Sequence, residues 1–181
     1  VRQHAAELGV NPHRIVAAGG SAGGHVAACT GVIRGYEEAS GARDISSVPN
    51  AMILYNPVID TTEKGYGMAK VGEERKTDIS PCHHVRNGIP ATLIFHGTAD
   101  TTVPYENVVR FTTLMKDAGN ICSLVSFENR KHGFFNGSVF RPRNGDADFN
   151  TTMDRSVEFL TERGFLNAQK KQGRVIHGEE E

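Results

Sequence analysis

The stretch "VAAGGSAGGHVAAC" (residues 16–29) sets a single serine among four glycines, where an apolar run gives way to a helical pattern. Gly19, Ser21 and Gly23 spell G-x-S-x-G. That spacing carries meaning only when a strand precedes it and a helix follows, because the serine then sits on a sharp, strained turn with its hydroxyl exposed. Both conditions are met here: "RIVAAGG" (14–20) reads as a strand and the residues after Ser21 as a helix. Glycines suit such a turn because its dihedrals penalise side chains and because strand and helix approach closely. The competing reading is a glycine-rich loop that holds phosphate at a helix N-terminus. Against it stand the lack of a lysine after the serine and the lack of G-x-G-x-x-G spacing.

Outward from this turn, two more apolar runs read as buried strands, "NAMILYNPVI" (50–59) and "ATLIFHG" (91–97). "CSLVSFEN" (122–129) alternates more and suits a sheet edge. Helical patterns lie between them. Over 104–118, Pro104 opens the helix and Gly119 closes it, with Tyr105, Val108, Thr112 and Met115 on one face. Over 149–163 the corresponding face is Phe149, Met153, Val157 and Leu160. Strands alternating with helices, and strands that are apolar nearly throughout, predict an α/β domain: a mostly parallel sheet flanked by helices on both faces. Ligands in such sheets bind at the carboxyl ends of the strands. Residues 60–90 are polar and turn-rich, a long loop with one short helix, and loops of that length are often functional. The tail from 167 to 181, ending "HGEEE", is charged and aperiodic and is expected to be disordered.

With 181 residues the chain has the length of one domain, spanning 1–166. Its 20 basic and 21 acidic side chains nearly cancel, so no overall field draws it to nucleic acid or to an anionic membrane. A small or neutral molecule is the expected partner. Cys29, Cys82 and Cys122 are too few and too widely spaced for a disulfide framework or a Cys-x-x-Cys metal site, and no metal or cofactor is expected. No apolar run reaches the ~18 residues of a membrane span, and the N-terminus lacks the layout of a signal peptide. The chain nevertheless opens without Met in an already amphipathic pattern, as a piece of a longer protein would. Its compartment is therefore left open, and a lost signal peptide is compatible with secretion or a periplasmic location.

A serine hydroxyl is a poor nucleophile until a base takes its proton and a carboxylate holds that base in the right tautomer. In sheets of this kind the chain order is serine, acid, histidine. Asp100 fits the acid, since "LIFHGTADTTVP" is a strand, a short turn and a proline-started helix. Asp60, also just past a strand, is the alternative acid. His132 fits the base: "FENRKHGFFNG" follows the last strand and sets a glycine beside the histidine. The other histidines have plainer readings. His4, His13 and His177 lie near the ends and are expected in solvent. His25 falls on the helix after the serine as a packing or pocket-wall residue, and His96 ends a strand as a hydrogen-bonded structural residue. His83 and His84 beside Cys82 suggest a metal, but adjacent side chains diverge.

"GGSAGGH", "HGTADTTVP" and "HGFFN" together resemble the catalytic, C-terminal part of the α/β-hydrolase esterases related to acetylxylan and feruloyl esterases, themselves similar to the hormone-sensitive-lipase-like group. The resemblance covers residues 1–166. It implies a serine esterase acting on short-chain acyl esters, with carbohydrate acetyl esters as the suggested substrate. In it Ser21 is the nucleophile, Asp100 orients His132, and the N–H of Ala22 gives one oxyanion-hole donor. The same resemblance implies a further N-terminal portion with several strands and an H-G-G-G-type stretch giving the second donor. Without that donor the chain alone is expected to be feeble, since losing one costs about 10²–10³ in rate. The edge of the first strand is then expected to be covered by another chain or a second copy, making a homo-oligomer one outcome. Two readings stay beside the esterase: a serine peptidase of the prolyl-oligopeptidase type, and a fold that has lost its chemistry.

Overall fold

The computed structural model describes residues 1–36 and 45–167. Four strands, β1 (Val16–Gly20), β2 (Ala51–Tyr55), β3 (Ala91–Gly97) and β4 (Cys122–Phe127), form one sheet in the order β1-β2-β3-β4. Every pairing is parallel. Each crossover therefore needs a connection over a face of the sheet, and helices supply it. The helices α1 (Ala22–Val32) and α3 (Tyr105–Asp117) pack on one face, and α4 (Ala147–Glu162) packs on the other. The sheet with helices on both faces, expected from the alternation of patterns, is what the chain forms.

The two layers of core follow from strand alternation. Met52, Leu54 and Ile94 point to the first face and meet Ala27, Ala28 and Val32 of α1 and Val108, Phe111 and Met115 of α3. Ile53, Leu93 and Phe95 point to the second face and meet Phe127, Phe134 and Phe159. Phe111 is fully buried, so Phe111→Ala would remove its burial and leave a cavity worth about 3–5 kcal/mol. Pro104 stands at the N-cap of α3, and Gly119, at φ +78°, follows its end. As read from the sequence, β4 is an edge. Among the described residues β1 is the other edge, hydrogen-bonded only to β2.

Two expectations need correction. Most of the expected face of α4 is turned outward: Phe149, Met153 and Val157 are exposed, and of the four only Leu160 packs on the second core, while Thr152, Ser156 and Phe159 are buried. What seats this helix is the Phe159 ring in the second core and the contact between Ser156 Oγ and the Tyr55 hydroxyl at 3.3 Å. Small residues at 152 and 156 let the helix approach the sheet, their hydroxyls donating to the carbonyls of Phe149 and Thr152. The strand expected over 50–59 stops at Tyr55, because Asn56 takes φ +40° and Pro57 follows.

The segment 60–90 holds one four-residue helix, α2 (Met68–Val71), among turns and short 3₁₀ stretches, as expected of a long loop. The expected disordered tail lies, but for residue 167, outside the described residues. No described helix is long and apolar enough to cross a membrane.

Register then places the site. Gly20, Tyr55 and Phe95 are aligned across β1, β2 and β3, and Gly97 lies opposite Phe127 of β4. The residues that follow these positions, Ser21, Asn56, His96 and the turns after β3 and β4, consequently emerge along one rim at the carboxyl ends of the strands.

Candidate active site

Ser21 is the single residue between β1 and α1, with φ +55° and ψ −117°. A side-chain-bearing residue held there costs about 1–3 kcal/mol. The turn is held by the Ser21 N–H donating to the Tyr55 carbonyl at 2.8 Å and by the His25 N–H donating back to the Ser21 carbonyl at 3.0 Å. Gly19 is required by space: a Cβ there would stand 2.4 Å from the carbonyl of Gly23. The same reasoning does not extend to Gly23, where a Cβ would meet nothing within 4 Å. Ala22, the first residue of α1, is exposed, and its N–H is one of the first-turn donors that no preceding helical carbonyl can reach.

Asp100 sits on the turn after β3 with its side chain fully buried. Its Oδ1 accepts from the N–H groups of Thr102 at 2.8 Å and Val103 at 3.0 Å, which anchors that oxygen. His132 comes from the turn after β4. The two turns are stitched together, the Ala99 N–H donating to the Arg130 carbonyl at 3.1 Å and the Asn129 N–H to the Thr98 hydroxyl at 2.9 Å. Aromatic rings then press the histidine loop onto the sheet. Phe134 packs on Phe127 with centroids 4.4 Å apart, and Phe135 packs on Tyr55 at 5.0 Å. Phe135 also lies against the backbone of Gly20, where any Cβ would meet its ring at 2.5 Å.

Together these elements bring Ser21, Asp100 and His132 into one line. His132 Nδ1 stands 2.7 Å from Asp100 Oδ2 and Nε2 stands 2.9 Å from Ser21 Oγ. A carboxylate only accepts, so Nδ1–H donates to Asp100, and the neutral ring's Nε2 is left to accept the serine proton. The imidazole is partly open to solvent at 24%, as access for a substrate requires.

The alternative acid, Asp60, is buried elsewhere. Its Oδ1 accepts from the Thr62 N–H and hydroxyl, and its Oδ2 accepts from Arg110 Nη1 at 2.8 Å. Burial alone would push this carboxyl up, but the Thr62 hydrogen bonds, His83 and Arg110 together bring it below the usual carboxylate range. The remaining histidines also have their places. His25 Nδ1 donates to the Val58 carbonyl at 2.8 Å, tying α1 to the chain after β2. His83 and His84 reach separate partners, Ser80 Oγ and the Thr77 carbonyl. Burial pushes the thiol of the preceding Cys82 up to about 12. His4 and His13 are exposed, and His177 lies outside the described residues.

Two contacts escaped the sequence reading. One is Phe135 on Gly20, which joins residues far apart in the chain and was signalled only by the paired rings after "HG". The other is His96, fully buried, with Nε2 at 3.1 Å from the Val103 carbonyl and 3.3 Å from Asp100 Oδ2. The interval of four residues from His96 to Asp100 in "HGTAD" was the available sign.

A serine on a strained strand-to-helix turn, lined up with an imidazole and a carboxylate in the chain order serine, aspartate, histidine at the carboxyl rim of a parallel sheet, defines an α/β-hydrolase. More closely, the chain belongs to the prolyl oligopeptidase family, whose sequence pattern matches residues 1–162. It is 28% identical over 156 residues to an acetylxylan esterase of Xylanibacter ruminicola, covering 78% of this chain and 30% of that protein. A probable isoprenylcysteine alpha-carbonyl methylesterase of Arabidopsis thaliana is 29% identical, with 73% and 33% covered. Among solved structures, Thermogutta terrifontis esterase 2 phosphoramylated by tabun has a TM-score of 0.84 at 48% identity, with 93% of this chain and 62% of that chain covered. The propionate-bound form of the same esterase gives 0.82 at 47%, with 93% and 63% covered. The chain thus spans about a third of the curated relatives and about three fifths of the solved esterase. Its fold and family are those of an α/β-hydrolase, and the solved structures it matches are of an esterase.

Proposed function

We propose that this chain carries the catalytic machinery of a carboxylic-ester hydrolase for short-chain acyl esters, with Ser21 as nucleophile, His132 as base and then acid, and Asp100 as its orienting partner. The observation that carries the reading is the unbroken line from Ser21 Oγ through His132 to Asp100, at 2.9 and 2.7 Å. As Oγ attacks the ester carbonyl its proton passes to Nε2, and Asp100 stabilises the imidazolium that forms. The negative oxygen of the tetrahedral intermediate faces the Ala22 N–H at the positive end of α1. Collapse expels the alcohol, which takes the proton back from Nε2. Water, deprotonated by the same nitrogen, then releases the acid from Ser21. Both halves begin with Nε2 of His132 unprotonated and able to accept.

The acyl class is supported by the solved esterase, whose structures include propionate-bound and butyrate-bound forms. Acetyl esters on carbohydrate are supported by the acetylxylan esterase relative. Hydrolysis of p-nitrophenyl acetate and acetylated xylan, with labelling by a fluorophosphonate probe, tests the proposal. Ser21→Ala should abolish both, and turnover or labelling that survives it overturns the assignment. A second reading, a peptidase, is favoured by the family pattern itself. Cleavage of a prolyl p-nitroanilide at a rate above that of the acetate ester would establish it. The edge of β1 left free by the described residues is further proposed as the seat of either preceding strands of a longer parent or a second copy, and a concentration-independent monomer of this chain in light scattering would exclude the second copy.

A further inference from the structure

His96 is the sixth residue of the seven-residue strand β3 and has no exposed surface. Its ring stands edge-on to Tyr105, with centroids 5.9 Å apart. The tautomer follows from its partners. Nε2 stands 3.1 Å from the Val103 carbonyl, which can only accept, so Nε2 carries the proton. Nδ1 is then an acceptor, and it is buried with no partner among the described residues. The same Nε2 stands 3.3 Å from Asp100 Oδ2, an electrostatic neighbour of the ring while its hydrogen bond goes to Val103. Desolvation in this closed site holds the ring below the ordinary imidazole range, against the opposing pull of the Val103 carbonyl and Asp100, so the ring is a neutral donor.

Asp100 consequently accepts three N–H hydrogen bonds and has a fourth N–H close by. Thr102 and Val103 donate to Oδ1, His132 donates to Oδ2, and His96 Nε2, bonded to the Val103 carbonyl, stands beside that same oxygen at 3.3 Å. The two N–H groups on Oδ1 leave the carboxylate free to rock about their axis. A second imidazole beside Oδ2 removes that freedom and fixes the direction in which the oxygen meets His132. We infer that His96 is a positioning residue for the proposed reaction: its Nε2–H sets the orientation of Asp100, and through it the aim of the His132 ring at Ser21. The inference rests on the Ser21–His132–Asp100 reading. A buried histidine that served only to anchor the turn through the Val103 carbonyl would leave the chemistry of a correctly folded molecule untouched.

The experiment compares His96→Leu, which fills the space without a donor, with His96→Gln, whose terminal amide can present an N–H near the position of Nε2. The full chain is used for both. Ester hydrolysis is read as separate kcat and KM values, with melting temperature alongside. The strongly deshielded proton resonance of His132 Nδ1–H is recorded on the same samples. His96→Leu should lower kcat by roughly 10–100-fold with KM unchanged and should shift or broaden the His132 proton. His96→Gln should recover most of kcat and the original resonance. A folded His96→Leu protein with unchanged kcat and an unmoved resonance overturns the inference. So does a rate loss in both variants with the resonance unmoved. If His96→Leu fails to fold, the decision passes to His96→Gln, where kcat within threefold of wild type and an unmoved resonance support the inference and a tenfold loss overturns it. Failure of the underlying reading looks different, since His132→Ala would then leave ester hydrolysis by the parent protein unaffected.

Discussion

Asp60 and Asp100 occupy nearly equivalent places on neighbouring strands. Each stands just past a strand that ends on the same rim, each side chain is fully buried, and each uses Oδ1 to accept the N–H two residues ahead, Thr62 in one case and Thr102 in the other. They diverge at the other oxygen. Oδ2 of Asp60 accepts from Arg110, a permanent cation on α3, whereas Oδ2 of Asp100 accepts from His132, whose other ring nitrogen faces Ser21 Oγ. A buried carboxylate is thus made structural or reactive by what reaches its second oxygen, with its own environment hardly changed. Arg110 fixes residues 60–90 to α3, and His132 turns the same chemistry toward Ser21.

The sharpest way to break this comparison is to neutralise each carboxylate in turn. Asp100→Asn should cut kcat/KM by about 10⁴, because the amide favours the wrong imidazole tautomer, while a melt should show little change. Asp60→Asn should do the reverse, leaving kcat/KM within a few fold and lowering the melting temperature. If both variants lose activity equally, the two sites are not separate in function. Arg110→Ala comes next in size. It strands the Asp60 carboxylate in the interior and should destabilise by about 1–3 kcal/mol in a denaturant titration, with the esterase rate per folded molecule preserved. The smallest expected effect is on pH. The carboxyl of Asp60 lies below its unfolded value, so the unfolded chain binds the proton more readily. Its contribution is complete above an unfolded pKa of about 3.9 and is lost as pH falls through the lower folded value. Stability below about pH 4 should therefore drop less steeply in Asp60→Asn than in the parent; equal slopes would remove Asp60 from the acid response.

Much of this was legible in the sequence because the strands are short, apolar and bounded by turn residues, and because G-x-S-x-G, Asp100 and His132 each sit directly after one of them. Local chemistry was enough to place those three. What was not legible depends on packing between distant segments. The residues at 149, 153 and 157 of α4 have the right spacing for a core face, but Phe159 and the Tyr55–Ser156 contact decide which side meets the sheet. No periodicity within the helix can rank those two sides. Phe135 on Gly20 is likewise a relation between two loops, and His96 looked like an ordinary strand end until the turn after it folded back over its ring. Gly23 shows the converse: a motif glycine whose place in the pattern suggested crowding where there is open space.

The strand order β1-β2-β3-β4 has a consequence in time as well as in space. A polypeptide emerging from the ribosome can lay down each parallel strand against the one just made, so the sheet grows from one side as synthesis proceeds. Of the three, Ser21 leaves first, Asp100 about eighty residues later, and His132 only with β4 and the loop after it. Until that loop docks its phenylalanines, the nascent chain holds an uncharged alcohol with no proton acceptor beside it. On the proposed reading, Ser21 therefore meets its proton acceptor only once the loop after β4 has docked.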